Sequence, residues 1–290
     1  MLRSDAPTEG GISLIAITRR SSRPPVFAVP GVGGNVLAFA DLARALGPDQ
    51  AFFALQSVGV DGTREPLQTI EAMARLYLSE VRAIRPRGPY ALIGVCFGAT
   101  VAFEMARQIG ESGDNVAFLG LLDPTSIGGE KAGEPVQSVP RVLARARAAG
   151  AFAQGRLQLY RREMAGLGYR DRVDFVAQKV ANLLRRTIGR GSVDDVRLEM
   201  SLSNVYRANL AALQHFERKP INGYVKVIAI FQTPRHARAR FEVDWLRELP
   251  GEGVRIMVPG KDSGDMLSGA NARILADALA PQLKKAMSQE

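Results

Sequence analysis

Residues 94–98 read Gly-Val-Cys-Phe-Gly, directly after the apolar run Tyr90-Ala-Leu-Ile93 and directly before a helical stretch beginning near Ala99. Glycines two residues either side of a central side chain, set between a strand and a helix, describe a turn too tight for side chains beside that residue. A strand–turn–helix of this kind lifts its central side chain above the edge of a sheet. It commits this stretch to a sheet strand with a helix packed back onto it. The raised side chain is Cys96, the only cysteine among 290 residues.

The surrounding pattern fits. A short edge strand is expected around Ser13 to Ile17, inside a loose segment spanning 1–24. Val26–Val29 is a strand candidate, followed by the glycine-rich loop Pro30-Gly-Val-Gly-Gly-Asn35 and an amphipathic helix from about Val36 to Leu46. Phe52–Gln56 is the next strand, and Ile70, Met73, Ala74, Tyr77 and Val81 recur at helical spacing over Ile70 to Ile84. Strand Tyr90–Gly94, helix Ala99–Ser112 and strand Val116–Leu122 follow. Residues 129–200 show no strand and read as several helices, rich in Arg and Ala. Strand alternation returns at Tyr224–Phe231 and Val254–Val258, and an amphipathic helix covers about Asn271 to Met287. Strands alternating with helices imply an α/β class, with a mostly parallel sheet covered on both faces. The expected organisation is a core of 25–128 and 201–290, interrupted by a helical lid at 129–200.

No run of eighteen apolar residues is present, so no membrane span is expected. The first 25 residues lack the pattern of a secretory signal. A single cysteine excludes an internal disulfide and agrees with a reducing, cytoplasmic setting. Of the formal charge of +9, most falls in residues 131–200, where fourteen Lys and Arg face seven Asp and Glu. Such a segment is either a solvated helical face or a surface for an acidic partner. No nucleic-acid motif accompanies it.

Gly-x-Cys-x-Gly between strand and helix is the pattern of the nucleophile elbow in the α/β-hydrolase fold. The loop Pro30 to Asn35 follows an earlier strand, where the second donor to a substrate oxyanion is placed in such enzymes. The N–H groups of Val32 and Phe97 are therefore assigned as the oxyanion hole. Asp123 ends strand Val116–Leu122 at the same sheet edge. It is either the carboxylate of the site or a cap or turn residue.

These pieces resemble the thioesterase family of nonribosomal peptide and polyketide synthesis. The resemblance rests on Pro-Gly-Val-Gly-Gly-Asn35, Leu55-Gln56, Arg85-Pro-Arg-Gly-Pro-Tyr90, the elbow with Phe103-Glu-Met-Ala-Arg107, and Leu121-Leu-Asp-Pro124. Arg170-Asp-Arg-Val-Asp-Phe175 resembles a lid helix, and Asn209 to Gly223 the return to the core. The resemblance implies catalytic roles for Cys96 and Asp123, and a substrate carried as a thioester on the phosphopantetheine of an acyl or peptidyl carrier protein. That carrier is expected to dock on the basic lid. No bound cofactor, metal, nucleic acid or membrane partner is expected.

Two departures mark this chain. Cys96 stands where the family has Ser, and the segment expected to hold the family's His reads Pro259-Gly-Lys-Asp-Ser-Gly-Asp-Met-Leu267. Alignment on Met266-Leu267 puts Ser263 at the His position, and alignment on Gly260 puts Asp262 there. The two histidines lie elsewhere: His215 in a helix, where packing or solvent explains it, and His236 in a loop that is either a base or solvated. Asp262, Ser263, Asp265 and His236 are thus the candidates for a base or orienting group. A hydroxyl without a base is inert, whereas a thiol at a helix N-terminus is expected to have a lowered pKa and to act unaided. The sequence therefore points to an acyl enzyme at Cys96 that transfers or cyclises its acyl group. The alternatives are a hydrolytic thioesterase and a carrier-binding scaffold without catalysis.

Overall fold

A computed structural model describes residues 13–18, 23–124, 193–234, 237 and 252–288. They belong to the unit formed by Met1–Gly128 and Leu198–Glu290, except for the first residues of one helix, which fall in a second unit, Gly129–Arg197. The expected lid at 129–200 lies almost entirely outside the described residues.

The strands are β1 (Leu14–Thr18), β2 (Arg23–Val29), β3 (Gln50–Leu55), β4 (Tyr90–Val95), β5 (Val116–Leu122), β6 (Val225–Gln232) and β7 (Glu252–Met257). They form one sheet in the order β1-β3-β2-β4-β5-β6-β7. All neighbours are parallel except β1, which pairs antiparallel with β3 at the edge. β4 and β5 are buried along their whole length, as central parallel strands covered on both faces must be.

The helices are α1 (Ala40–Leu46), α2 (Ile70–Ile84), α3 (Phe97–Glu111), α4 (Val193–His215), α5 (Ser263–Met266) and α6 (Gly269–Met287). Alternate sheet residues point to opposite layers. Phe27, Leu92, Leu119 and Ile228 pack with Ile70, Tyr77, Phe103 and Ala212 from α2, α3 and α4. Ala28, Ile93, Leu122 and Ala229 pack with Leu42, Leu275 and Leu279 from α1 and α6. The period of two along each strand thus builds two cores from one sheet.

Thr69 starts α2 by accepting the Ala72 N–H through its hydroxyl at 3.2 Å. The helix expected over Val36 to Leu46 is divided. Asn35 accepts the Leu37 N–H at 2.8 Å and caps a 3-10 turn, Val36–Phe39, before α1 begins. α4 runs continuously through position 200, where the sequence places the end of the lid.

Candidate active site

The site lies at the C-terminal ends of β2, β4 and β5. Cys96 follows β4 directly and is the N-cap of α3, with φ 52° and ψ −114°. A non-glycine residue in this region stores strain that the surroundings must hold. Here they do so through backbone bonds: the Cys96 N–H donates to the Leu122 carbonyl at 2.8 Å, and the Ala99 N–H to the Cys96 carbonyl at 3.1 Å. The glycines are required by contact. A Cβ on Gly94 would lie 2.2 Å from the Gly98 carbonyl oxygen, and one on Gly98 would lie 2.3 Å from the carbonyl oxygens of Val29 and Pro30. The second contact also shows how closely the loop after β2 abuts the elbow.

Asp123 follows β5, the neighbour of β4, where Val95 pairs with Leu122. It too has positive φ, 42°, and it is 4% exposed. Both of its carboxylate oxygens accept from Thr233, the residue after β6. The Thr233 N–H donates to Oδ1 at 2.8 Å and its hydroxyl to Oδ2 at 2.9 Å. Asp123 is thus anchored as a carboxylate beside Cys96.

The expected lowered thiol pKa is corrected by this environment. Burial pushes the half-buried Cys96 thiol above its ordinary value, the Phe97 N–H pulls it down in part, and the Asp123 charge pushes it up again. The start of α3 does not outweigh desolvation and a neighbouring carboxylate. Cys96 rests as a thiol.

The Phe97 N–H therefore faces the Cys96 sulfur. Val32 lies in the turn Gly31–Gly34, closed by the Gly34 N–H donating to the Gly31 carbonyl at 2.8 Å. The segment expected to hold a histidine forms a small capped helix instead. Asp262 is the N-cap of α5 and accepts the Asp265 N–H at 2.8 Å. Asp265 accepts the Lys261 N–H at 2.9 Å. These two carboxylates hold their own loop, and Ser263 is the first residue of α5. The loop nevertheless adjoins the site, since a Cβ on Gly260 would lie 3.1 Å from Thr233 Cγ2. His215 is the exposed last residue of α4. His236 lies outside the described residues.

Two residues of this site escape the sequence reading. Thr233 was reachable by register, because Leu122 pairs with Phe231 and so brings the residues after both strands to one edge. Asn209 interrupts the buried stripe Val205, Ala208, Ala212 of α4 and is itself 1% exposed. A buried amide on an apolar stripe needs a partner, and here it is the carbonyl of Val32 at 2.8 Å.

Comparison with known proteins bears on this geometry. Residues 24–155 match the family described as Thioesterase domain. A nonribosomal peptide synthetase, pngA, of Aspergillus terreus (strain NIH 2624 / FGSC A1156) is 35% identical over 117 residues, which are 40% of this chain and 12% of that protein. Indigoidine synthase of Dickeya dadantii (strain 3937) is 38% identical over 113 residues, 39% of this chain and 8% of that protein. The chain thus spans a small fraction of these curated relatives. Among solved structures, the type II thioesterase BorB from the borrelidin biosynthetic cluster superposes with a TM-score of 0.63 at 19% identity, over 96% of this chain and 100% of that one, a likeness of fold. The matched segment carries the elbow, the Val32 loop and Asp123 together, so the part of the chain that forms this site is similar to a thioesterase domain.

Proposed function

We propose that this protein takes an acyl or peptidyl group from the phosphopantetheine thioester of a carrier protein onto Cys96 and passes it on by transfer or cyclisation. The relatives are synthetases of nonribosomal peptide type, and a carrier-borne thioester is the substrate class that reading implies. In the loading step the Cys96 sulfur bonds to the acyl carbon, and the bond from that carbon to the phosphopantetheine sulfur breaks. The proton of Cys96 leaves with the phosphopantetheine thiol. One thioester replaces another, so the exchange is close to isoenergetic and consumes no base. The Val32 and Phe97 N–H groups receive the oxyanion.

The observation that carries the proposal is the engagement of Asp123 by Thr233 beside a cysteine nucleophile. A water nucleophile needs a positioned base, which contributes about 10²–10⁴-fold to such steps. The segment 259–267 supplies no histidine for that task, and Asp262 and Asp265 hold their own loop. Thiol, amine or stabilised-carbanion acceptors depend less on that base than water does. The setting is a reducing compartment that keeps Cys96 free.

Intact mass after incubation with an acyl-carrier thioester tests this. The expected result is an acyl adduct on the wild-type chain, absent in Cys96→Ala, that is discharged faster by an added thiol or amine than by water. No adduct supports a carrier-binding scaffold. An adduct lost to water as quickly as to any acceptor supports a hydrolytic thioesterase.

A further inference from the structure

The loop carrying Val32 is held by a buried polar chain that reaches across three elements. Gly34, at φ 71°, has its carbonyl bonded by the Ser57 N–H at 3.1 Å, and a Cβ there would lie 2.5 Å from the Ser57 side chain. Ser57 follows β3, and its hydroxyl pairs with the Tyr77 hydroxyl of α2, whose pKa burial pushes up to about 12. The Asn209 amide of α4 donates to the Val32 carbonyl at 2.8 Å and lies 3.4 Å from Ser57 Oγ.

The geometry fixes two consecutive peptide planes. The first joins Gly31 to Val32 and carries the Gly31 carbonyl and the Val32 N–H on opposite sides. The Gly34 N–H holds that carbonyl inside the turn, which turns the Val32 N–H outward. The second joins Val32 to Gly33, and the Asn209 amide holds its carbonyl. The Val32 side chain also packs against the core, while the glycines on both sides leave its two peptide planes to be set by these bonds. The loop also touches the elbow, where Gly98 leaves no room for a Cβ against Pro30.

We propose that Asn209 is a positioning residue for the acyl-transfer reaction, holding the Val32 N–H where the oxyanion forms. The proposal rests on the acyl-enzyme reading above. Asn209 touches neither substrate nor nucleophile. It acts through the Val32 carbonyl, and its effect belongs to steps that develop charge on an acyl oxygen.

Two reactions of the same thiol separate this role from a merely structural one. Acylation of Cys96 by an acyl-carrier thioester passes through an oxyanion, while alkylation by iodoacetamide at the same sulfur does not form that tetrahedral centre. In Asn209→Ala and in the isosteric Asn209→Asp, which removes the donating N–H, we expect acylation to slow about 10- to 100-fold, below the full loss of a donor. The change should fall on the maximal rate with the half-saturating carrier concentration unchanged. Alkylation and its pH profile should match the wild type. Wild-type acylation rates in both variants overturn the proposal, as does a parallel fall of acylation and alkylation. A wild-type chain that never acquires the acyl group overturns the acyl-enzyme reading itself.

Discussion

A thiolate at Cys96 lies in the field of the Asp123 carboxylate, and two negative charges in a desolvated corner oppose one another. The charged form of the thiol is disfavoured while Asp123 is ionised, so reactivity should rise with pH and inflect above a free cysteine measured alongside. Asp123→Asn removes the charge and keeps an acceptor for the Thr233 N–H. Its inflection should shift to lower pH, read from iodoacetamide alkylation followed by mass. An unshifted profile would show that burial alone sets the thiol. Cys96, Phe97 and Asp123 were legible in the sequence because the elbow and the strand end fix them locally. Thr233 and Asn209 were not singled out, since their partners stand 110 and 177 residues away along the chain.

Among the elements, the buried runs of β4 and β5 and the helical spacing of α2 made their boundaries readable. The division ahead of α1 was missed because Asn35 acts as a cap, and periodicity does not register caps. The edge strand shows a further tie that pattern alone does not reveal. Glu80 of α2 is buried and accepts the Ser13 N–H at 3.2 and 3.0 Å and the Leu14 N–H at 2.6 Å. A helix carboxylate thus pins the start of β1, the one antiparallel strand of the sheet. Glu80→Ala leaves those donors buried and unsatisfied, at a cost of about 1–3 kcal/mol. Urea denaturation should show that loss, with hydrogen exchange rising first in β1. A stability equal to wild type would mean that β1 is held by β3 alone.

Over the whole molecule, the alternation of strands and helices gave the sheet and both of its cores, since burial on two faces leaves a direct imprint on composition. The distribution of charge is as plain, with the basic excess concentrated in residues 131–200. If an acidic carrier is drawn to that excess, acylation from the carrier should slow as salt is raised, through screening over roughly 10 Å at 0.1 M. Acylation from a small pantetheine thioester should be insensitive to the same salt. Equal salt dependence of the two would dissociate the basic segment from carrier recognition. The pairing of Asp123 with Thr233 has a consequence for what the molecule demands of the segment 259–267. With both carboxylate oxygens already served, the absence of an imidazole at 259–267 strands no buried charge, and folding exerts no pressure to supply one. A histidine placed there would find Asp123 already oriented, since each carboxylate oxygen accepts one bond from Thr233 and has a second lone pair. The segment 259–267 can therefore carry or lack an imidazole without a change in how Asp123 is held.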